Sequence, residues 1–310
     1  MAWRFGPPEV LETVELAVAG PGAGQFRVEV DLVGVGWLDT LIRKGAGPDV
    51  FPVTPPYVPG GAVAGAVAEI GEGVDKSWSG ARVITRAAGG GYAEQVIASP
   101  EGSYVVPEGL ELADALAMLD DGSTALALVE RTPVHEGDKV FVAPGVGGLG
   151  SLLVQLVKAN GARVIAGVRG EEKAALARKM GAQVVDYSEP DWARTMTGEL
   201  DVVFDGIGGE VGAAMPALLK DGGRFSAYGM AGGPETEVTQ ADRQRLSVVG
   251  MSQLPEFWAE APRRVREVLE EAANGRLAPI IGRIYPLAQA AEAHADIEAR
   301  RFVGKLLLRT

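Results

Sequence analysis

The pattern of hydrophobic positions differs between the first third of the chain and the rest. Over roughly the first hundred residues, short apolar runs rich in β-branched side chains are separated by Gly and Pro, which is typical of a small barrel-like β domain. We predict strands at residues 26–33, 62–70, 81–85 and 92–97. An apolar, helix-compatible segment follows at residues 113–131. We therefore expect a domain boundary near residue 119.

From residue 139 onwards, strands alternate with helices. One helix face is indicated by apolar residues at positions i, i+3, i+4, i+7 and i+8: Leu149, Leu152, Leu153, Leu156 and Val157. The predicted strands are residues 139–143, 163–168, 183–185, 201–205 and 224–228, with helices at 171–180 and around 210–220. The C-terminal part supplies a strand from residue 280, a helix at 287–300 and a last strand at 305–308. This alternation predicts an α/β fold with a doubly wound parallel sheet.

The composition excludes several classes of function. The 310 residues include 43 Gly, two His and no Cys, so a disulfide scaffold, a thiolate nucleophile and a Cys-liganded metal site are excluded. A formal net charge of −12 disfavours nucleic acids and anionic membrane surfaces as partners. The longest uncharged stretch, residues 140–157, contains one Pro and four Gly, which suit a turn rather than a membrane span. The chain does not open with a basic segment and an apolar core, so we predict a cytoplasmic protein.

The segment Gly145-Val146-Gly147-Gly148-Leu149-Gly150 fits the pattern G-x-G-x-x-G. The pattern alone is weak in a chain this rich in Gly, and a tight turn without a ligand is the alternative. Its setting strengthens it, because a buried strand precedes it, an amphipathic helix follows and a second strand begins within about 20 residues. In that setting the first Gly permits the turn, the second lets backbone amides approach a pyrophosphate, and the third lets the helix pack on the strand. We therefore predict a dinucleotide-binding turn.

The end of the second of these strands indicates which dinucleotide is bound. An enzyme that binds NAD usually carries Asp or Glu there to accept from the ribose 2′-hydroxyl, but this position is Val168. Arg169 follows, Lys173 stands on the first turn of the next helix and Tyr187 ends the third strand. These side chains offer positive charge and a hydroxyl to a 2′-phosphate, so NADPH is the predicted cofactor. The alternatives are a solvated charge for Arg169, a surface position for Lys173 and core-edge packing for Tyr187.

Other nucleotide-binding patterns do not fit this chain. A P-loop requires Lys and then Ser or Thr after its last Gly, whereas Gly150 is followed directly by Ser151. A short-chain dehydrogenase requires Tyr and Lys four residues apart, and none of the six Tyr has Lys at that spacing. A methyltransferase would need an acidic residue in place of Val168. All three classes are therefore disfavoured.

Nearly the whole chain resembles the medium-chain dehydrogenase/reductase superfamily and, within it, the zinc-free quinone oxidoreductases related to ζ-crystallin and to enoyl reductase domains. The segments that carry the resemblance are GPPEVLE from Gly6, GVGWLDTLIRKG from Gly34, VPGGAVAGAVAEIGEGV from Val58, GGYAEQVIA from Gly90, DGSTALALV from Asp121, the glycine turn, DVVFDGIGG from Asp201, GGRFSAYG from Gly222 and VGKLLL from Val303. The resemblance implies a GroES-like β-barrel domain of residues 1–118 and 256–310, with an NADPH-binding Rossmann domain inserted at residues 119–255. It also implies a homodimer.

The resemblance further implies where the cofactor and the acceptor bind. The nicotinamide end is expected at the carboxyl ends of strands, where the switch-point rule also places ligands. The residues expected there are Thr124, Gly206, Ile207, Tyr228, Gly229 and Met230. Relatives often carry Asn where this chain has Gly36 and Tyr near Gly47, which implies a wider acceptor pocket. The residues expected to line it are Gly36, Trp37, Tyr57, Tyr92, Phe257 and Trp258, with core packing as the alternative for each aromatic residue.

No metal site is expected, and no catalytic residue is identified. Zinc-dependent relatives carry a His-Glu pair where this chain has Gly61 and Ala62, and a Cys-rich lobe that it lacks. Asp39 is expected to make a structural hydrogen bond, with a role as an acid/base group as the alternative. His294, on a C-terminal helix, is expected at the surface.

These features predict an NADPH-dependent oxidoreductase that transfers hydride to a quinone or a related conjugated carbonyl acceptor without a metal. Such a step depends mainly on orientation of the two reactants. One alternative is an enoyl-thioester or 2-alkenal reductase that serves biosynthesis. An alternative of another class is a non-enzymatic, NADPH-binding structural protein.

Overall fold

The computed structural model of the protein describes residues 1–17, 19–47, 52–87 and 90–310. The chain divides into two compact units. Unit 1 consists of Met1–Asp120 and Val265–Thr310, and unit 2 consists of Asp121–Arg264. Unit 1 therefore contains both ends of the chain.

Strands and helices are numbered in chain order. Within the described ranges the strands are β1 (Phe26–Val35), β2 (Ala62–Ile70), β3 (Arg82–Arg86), β4 (Gln95–Ala98), β5 (Tyr104–Val105), β6 (Lys139–Ala143), β7 (Arg163–Val168), β8 (Gln183–Asp186), β9 (Leu200–Asp205), β10 (Leu219–Ala227), β11 (Ser247–Val249), β12 (Ile281–Pro286) and β13 (Lys305–Arg309). The helices are α1 (Trp37–Lys44), α2 (Leu112–Ala117), α3 (Ser123–Arg131), α4 (Gly148–Ala159), α5 (Glu171–Lys179), α6 (Gly209–Ala213), α7 (Gln240–Arg245), α8 (Ala261–Ala273) and α9 (Ala290–Glu298). In the part of the chain that the structure describes, no helix is long and apolar enough to cross a membrane.

The sheet of unit 1 is built from segments at both ends of the chain. Its strand order is β12-β13-β1-β2-β3-β5, and β4 also pairs with β1. The first part of β1 pairs antiparallel with β4, and its last part pairs antiparallel with β13. Phe26, Val28 and Val30 alternate into the core, as expected for a strand with one face against it. Tyr285 and Leu308 join the same core, so the C-terminal strands complete it.

The sheet of unit 2 is parallel and has the strand order β11-β10-β9-β6-β7-β8. Every residue of β6 after Lys139 is buried, as is typical of a central parallel strand. Chain order reverses between β6 and β9, so the carboxyl ends of these strands flank the switch point at which α/β proteins bind ligands. The predicted α/β fold with a doubly wound parallel sheet is confirmed.

One predicted element of unit 2 is wrong. The bounds of β6 and β7 agree with the prediction, but the helix expected around residues 210–220 is short. The helix α6 ends at Ala213, Pro216 begins a 3₁₀ turn, and β10 starts at Leu219, which pairs with Leu200 of β9. The pairing of β10 with β9 has outweighed the helical pattern of the local sequence.

The helix α1 was not predicted. It starts after Gly36, whose N–H donates to Oδ2 of Asp39 at 2.8 Å. It ends at Gly45, whose φ of 78° lies in the left-handed region. These are ordinary start and stop signals, but a helix of eight residues has too few positions to show a clear hydrophobic period.

Candidate functional site

The turn between β6 and α4 places two of its glycines where no side chain fits. A Cβ atom on Gly145 would lie 2.6 Å from Cβ of Ala166, and one on Gly150 would lie 1.8 Å from the carbonyl oxygen of Pro144. The N–H of Gly145 also donates to the carbonyl oxygen of Gly167 at 2.8 Å, which ties the turn to β7. The chain itself therefore requires Gly at positions 145 and 150, as the first and third glycines of such a turn do.

Gly147 differs from these two glycines. The nearest described atom to a Cβ placed here would be Cγ of Pro144, at an ordinary contact distance of 3.7 Å. Gly148 and Leu149 open α4 and are half-buried, whereas Val146 packs into the core. The first N–H groups of a helix have no partner within it, and its N-terminus carries partial positive charge. The open space beside Gly147 therefore suits an anionic group such as a pyrophosphate.

The residues predicted for the 2′-phosphate lie at the ends of β7 and β8 and on α5. Val168 ends β7 in the core, and its carbonyl oxygen accepts from the N–H of Tyr187 at 3.0 Å. The guanidinium carbon of Arg169 lies 5.7 Å from the centre of the Tyr187 ring, a distance typical of a cation–π contact. Lys173 lies on the first turn of α5. The structure thus brings Arg169 and Tyr187 together.

Asp186 stands beside this group, and the sequence analysis did not select it. It ends β8 and pairs in register with Val168. Its carboxylate accepts from the N–H and hydroxyl of Ser188 at 2.9 and 2.5 Å and from the N–H of Gly170 at 2.8 Å. Partial burial raises the pKa of Asp186, but these hydrogen bonds and the charge of Arg169 outweigh burial and hold the pKa below its usual range. Both carboxylate oxygens are therefore engaged by the chain itself.

The loops after β9 and β10 pack on each other through their backbones. The N–H of Gly232, after β10, donates to the carbonyl oxygen of Ile207, after β9, at 2.6 Å. The N–H of Gly206 donates to the carbonyl oxygen of Ala143 at 2.7 Å, which ties the loop after β9 to the end of β6. A Cβ atom on Gly206 would lie 2.6 Å from the ring of Tyr228. Apart from Thr124, all residues predicted for the nicotinamide end lie on these two loops: Gly206, Ile207, Tyr228, Gly229 and Met230.

The carboxylate of Asp205, at the end of β9, holds these loops. Its Oδ1 accepts from the N–H groups of Ile207 at 2.8 Å and Gly208 at 3.0 Å, and its Oδ2 accepts from the hydroxyl of Thr236. The side chain is fully buried. Burial raises the pKa of Asp205, and the three donors offset part of that rise. Asp205 was not among the predicted site residues. An acidic residue at the end of an apolar strand is nevertheless a detectable signal, because buried carboxylates are rare without partners.

Three further residues predicted for the cofactor or the acceptor, Thr124, Phe257 and Trp258, lie on other elements of unit 2. Thr124 lies half-buried on the first turn of α3, which packs against α4. Phe257 is buried beneath Arg131, whose guanidinium carbon lies 5.9 Å from the ring centre. Trp258 is 52% exposed. Phe257 and Trp258 belong to unit 2, whereas the other residues predicted to line the acceptor pocket belong to unit 1.

In unit 1, residues predicted for the acceptor pocket surround the carboxyl group of Asp39. Its Oδ2 accepts from the N–H of Gly36 at 2.8 Å and from the hydroxyl of Tyr92 at 3.4 Å. Burial raises the pKa of Asp39 to about 6, against the effect of these two donors. The buried hydroxyl of Tyr57 has no partner among the described residues, and burial together with the charge of Asp39 raises its pKa to about 12. Trp37 opens α1 and is half-buried.

The prediction that His294 lies at the surface is wrong. The residue is fully buried on α9, and its Nε2 lies 2.8 Å from the hydroxyl oxygen of Tyr92. Burial, with the positive charges of Arg43 and Lys44, lowers the pKa of His294 to about 3, so its imidazole is neutral at physiological pH. The sequence of α9 is rich in Ala and lacks the sharp apolar face that would have shown which side is inside.

Sequence comparisons agree with these features. A profile of the alcohol dehydrogenase GroES-like domain matches residues 22–108, and a profile of the zinc-binding dehydrogenases matches residues 180–308. A 2-haloacrylate reductase of a Burkholderia species is 31% identical over 98% of this chain and 96% of that protein. The quinone oxidoreductase of Sus scrofa is also 31% identical, over 99% of this chain and 95% of that protein.

The fold also matches a solved structure over nearly the whole chain. Escherichia coli quinone oxidoreductase complexed with NADPH matches with a TM-score of 0.89 and 27% identity, over 99% of this chain and 98% of that one. The chain belongs to the quinone oxidoreductase family of the medium-chain dehydrogenases/reductases. The predicted combination of a GroES-like domain with a Rossmann-type parallel sheet is thereby confirmed for this member of the family.

The family profile that matches residues 180–308 is named for zinc binding. Among the described residues of this quinone oxidoreductase family member, no group of three or more His, Cys, Asp or Glu side chains is arranged to hold a metal ion.

We predict that Asp205→Ala destabilises the protein far more than Asp205→Asn does. Alanine leaves three buried donors without an acceptor, at about 1–3 kcal/mol each, so we expect a loss of several kcal/mol in the free energy of unfolding. Asparagine keeps an acceptor for the two N–H groups, its amide nitrogen can donate to the hydroxyl oxygen of Thr236, and it avoids a buried charge. Urea denaturation measures the difference, and an Asp205→Ala variant as stable as Asp205→Asn would contradict the role given to the carboxylate.

Proposed function

We propose that this protein is an NADPH-dependent reductase that adds hydride to a conjugated carbonyl acceptor, foremost a quinone. The observation that carries the proposal is the turn at β6 and α4, where the chain requires Gly145 and Gly150 for its own packing but leaves space beside Gly147. The NADPH complex of E. coli quinone oxidoreductase, which matches along nearly its whole length, supports the same choice of cofactor.

The residues of unit 2 suit the parts of such a cofactor. The amides at Gly147, Gly148 and Leu149 would hold the pyrophosphate. The charges of Arg169 and Lys173, with the hydroxyl of Tyr187, would hold the 2′-phosphate. The nicotinamide end would lie against Thr124, Gly206, Ile207, Tyr228, Gly229 and Met230. When bound, NADPH supplies the hydride that reduces the acceptor.

The contribution of the chain itself is to orient the reactants and to exclude water. Asp205 fixes the loop at Gly206 and Ile207 through backbone hydrogen bonds, and a reactant held in one geometry avoids much of the entropic cost of the encounter. In unit 1, Trp37 and Tyr57 offer apolar surface beside Gly36, to which a flat acceptor would bind. No metal is required for this step, and the chain has no Cys to bind one.

The 2-haloacrylate reductase among the relatives favours a second candidate, reduction of an activated C=C bond. A panel of acceptors with NADPH separates the two: quinones, 2-alkenals, an enoyl thioester and a 2-haloacrylate. We expect quinone-dependent oxidation of NADPH to be the fastest. Turnover confined to the alkenes would favour the second candidate, and NADPH binding without turnover of any acceptor would favour a structural role.

The assembly state and location are further parts of the proposal. An edge strand of the unit 2 sheet, such as β11, offers unpaired backbone groups to the same strand of a second copy. We propose a homodimer formed in this way, and the cytoplasmic location stays a prediction.

Gly147→Ala should weaken NADPH binding without unfolding the protein. The added methyl group meets only ordinary contacts within the chain, so we expect a loss of stability below about 1 kcal/mol, whereas it occupies the space assigned to the pyrophosphate. Calorimetric titration should show a dissociation constant at least about tenfold higher, equal to 1.4 kcal/mol. Gly150→Ala is the matched control, because its methyl group collides with Pro144 and should lower stability. Unchanged NADPH affinity in Gly147→Ala would contradict the assignment.

Arg169→Ala should lower the preference for NADPH over NADH. A charge-assisted hydrogen bond contributes about 1.5–3 kcal/mol, so we expect NADPH affinity to fall by about tenfold to 150-fold while NADH affinity stays the same. Arg178→Ala is the control, because Arg178 is exposed on α5 and pairs with Glu171. Equal affinities for NADPH in Arg169→Ala and Arg178→Ala would show that the 2′-phosphate binds elsewhere.

A further inference from the structure

A group of titratable residues in unit 1 has no part in the function proposed so far. We call Asp39, Tyr92 and His294 the Asp39 cluster. The three residues come from α1, from the segment before β4 and from α9, and hydrogen bonds join them in that order.

The carboxyl group of Asp39 is held on one side and open on the other. Its Oδ2 accepts from the N–H of Gly36 and from the hydroxyl of Tyr92. Its Oδ1 accepts no hydrogen bond from the residues that the structure describes, and the side chain is half-buried rather than enclosed. One oxygen is therefore available to a bound molecule.

Tyr92 is fixed in place. Its ring packs against Gly60, where a Cβ atom would come within 2.3 Å of it. The imidazole of His294 meets the ring edge-on, with the centres 5.7 Å apart and the planes at 89°. With its proton on Nε2, His294 donates to the Tyr92 oxygen, which leaves the Tyr92 proton for Asp39. Because His294 is buried and neutral, it can orient this hydroxyl without adding a charge.

Charged groups face Asp39 from several elements. The positive charge of Lys305 of β13 favours the carboxylate form and lowers the pKa of Asp39, whereas the negative charge of Asp120, after α2, raises it. The charge of Asp39 acts on Tyr57, and Arg43 of α1 is near both Tyr57 and Tyr92. Burial outweighs these effects and holds the pKa of Asp39 at about 6. Near neutral pH a fraction of the molecules, about one in ten, therefore carries the proton.

We propose that Asp39 is the proton donor of the reduction and that Tyr92 and His294 are residues that position its carboxyl group. This inference rests on the proposed function. Once the acceptor has received a hydride, it is an enolate or a hydroquinone anion. The O–H bond of the Asp39 carboxyl group breaks, and a C–H or O–H bond forms on the product. Asp39 is left as a carboxylate stabilised by Gly36 and Tyr92, and water returns the proton through Oδ1.

The first test is the pH dependence of turnover with NADPH and 1,4-naphthoquinone. The kcat of the wild type should fall as pH rises above about 6, approaching tenfold per pH unit, because the protonated carboxyl group is the active form. Asp39→Asn should lose this dependence and be about 100-fold slower at pH 6, whereas Asp39→Glu should recover part of the rate. Asp31→Asn, at an exposed position of β1, is the matched control and should retain the wild-type profile.

The second test does not depend on turnover. In protein labelled with ¹³C at the aspartate carboxyl groups, the signal that disappears in Asp39→Asn should titrate near pH 6. Tyr92→Phe removes a donor to the carboxylate and should move this midpoint to higher pH. His294→Gln keeps a hydrogen-bonding group near Nε2 and should move it less. A midpoint near pH 4 would overturn the proton donor, and a midpoint that Tyr92→Phe does not change would overturn the positioning by Tyr92.

The outcomes separate the two proposals. A wild type that reduces no acceptor overturns the proposed function and the proton donor with it. An active wild type whose Asp39→Asn variant has the same rate and pH profile overturns the proton donor alone. Circular dichroism at each pH shows that the variants compared are folded.

Discussion

The backbone contact at the carboxyl ends of β6, β7 and β9 is the constraint on which the cofactor end of the molecule depends. The amide of Gly206 donates to Ala143, and that of Gly145 donates to Gly167. A Cβ atom on Gly145 would collide with Ala166 of β7, and one on Gly206 would collide with the ring of Tyr228, so neither glycine can be replaced without displacing a neighbour. The same proximity aligns the start of α4 with the loops after β9 and β10, and thereby provides amides at the place where an α/β protein binds its ligand.

The half-buried carboxyl group of Asp39 and the fully buried one of Asp205 differ in how many of their oxygens the chain engages. Burial raises the pKa of both Asp39 and Asp205. At Asp205 both oxygens accept hydrogen bonds from the chain, and the side chain is fully enclosed. These hydrogen bonds hold the loops after β9 and β10 together. At Asp39 one oxygen is held and the other is open. A carboxyl group of raised pKa with an open oxygen can exchange a proton with a bound molecule, which is the basis of the role proposed for it.

The region around Arg169 contains both a basic and an acidic side chain. The usual rule, in which an acidic residue at the end of the second strand selects NAD and a basic one selects NADP, therefore does not describe it fully. The strand position that would select NAD is Val168, yet Asp186 lies next to it in the sheet. Because Ser188 and Gly170 already satisfy that carboxylate, its capacity to accept from a ribose hydroxyl is reduced. The guanidinium group of Arg169, packed on Tyr187, is the charge that we propose to bind the 2′-phosphate.

Local sequence patterns were enough to predict the α/β class, the bounds of β6 and β7, the glycine turn and the grouping of Arg169 with Tyr187. These features are local, since a buried strand ended by Gly and a helix stripe can be recognised within about 20 residues. The burial of His294, the partner of Asp205 at Thr236 and the Asp39 cluster depend on contacts between distant segments. His294 lies 202 residues from Tyr92 along the chain, and the ends of the chain meet only when β13 pairs with β1. Periodicity in one segment reports which positions favour the interior, but which polar groups meet there depends on how distant segments pack.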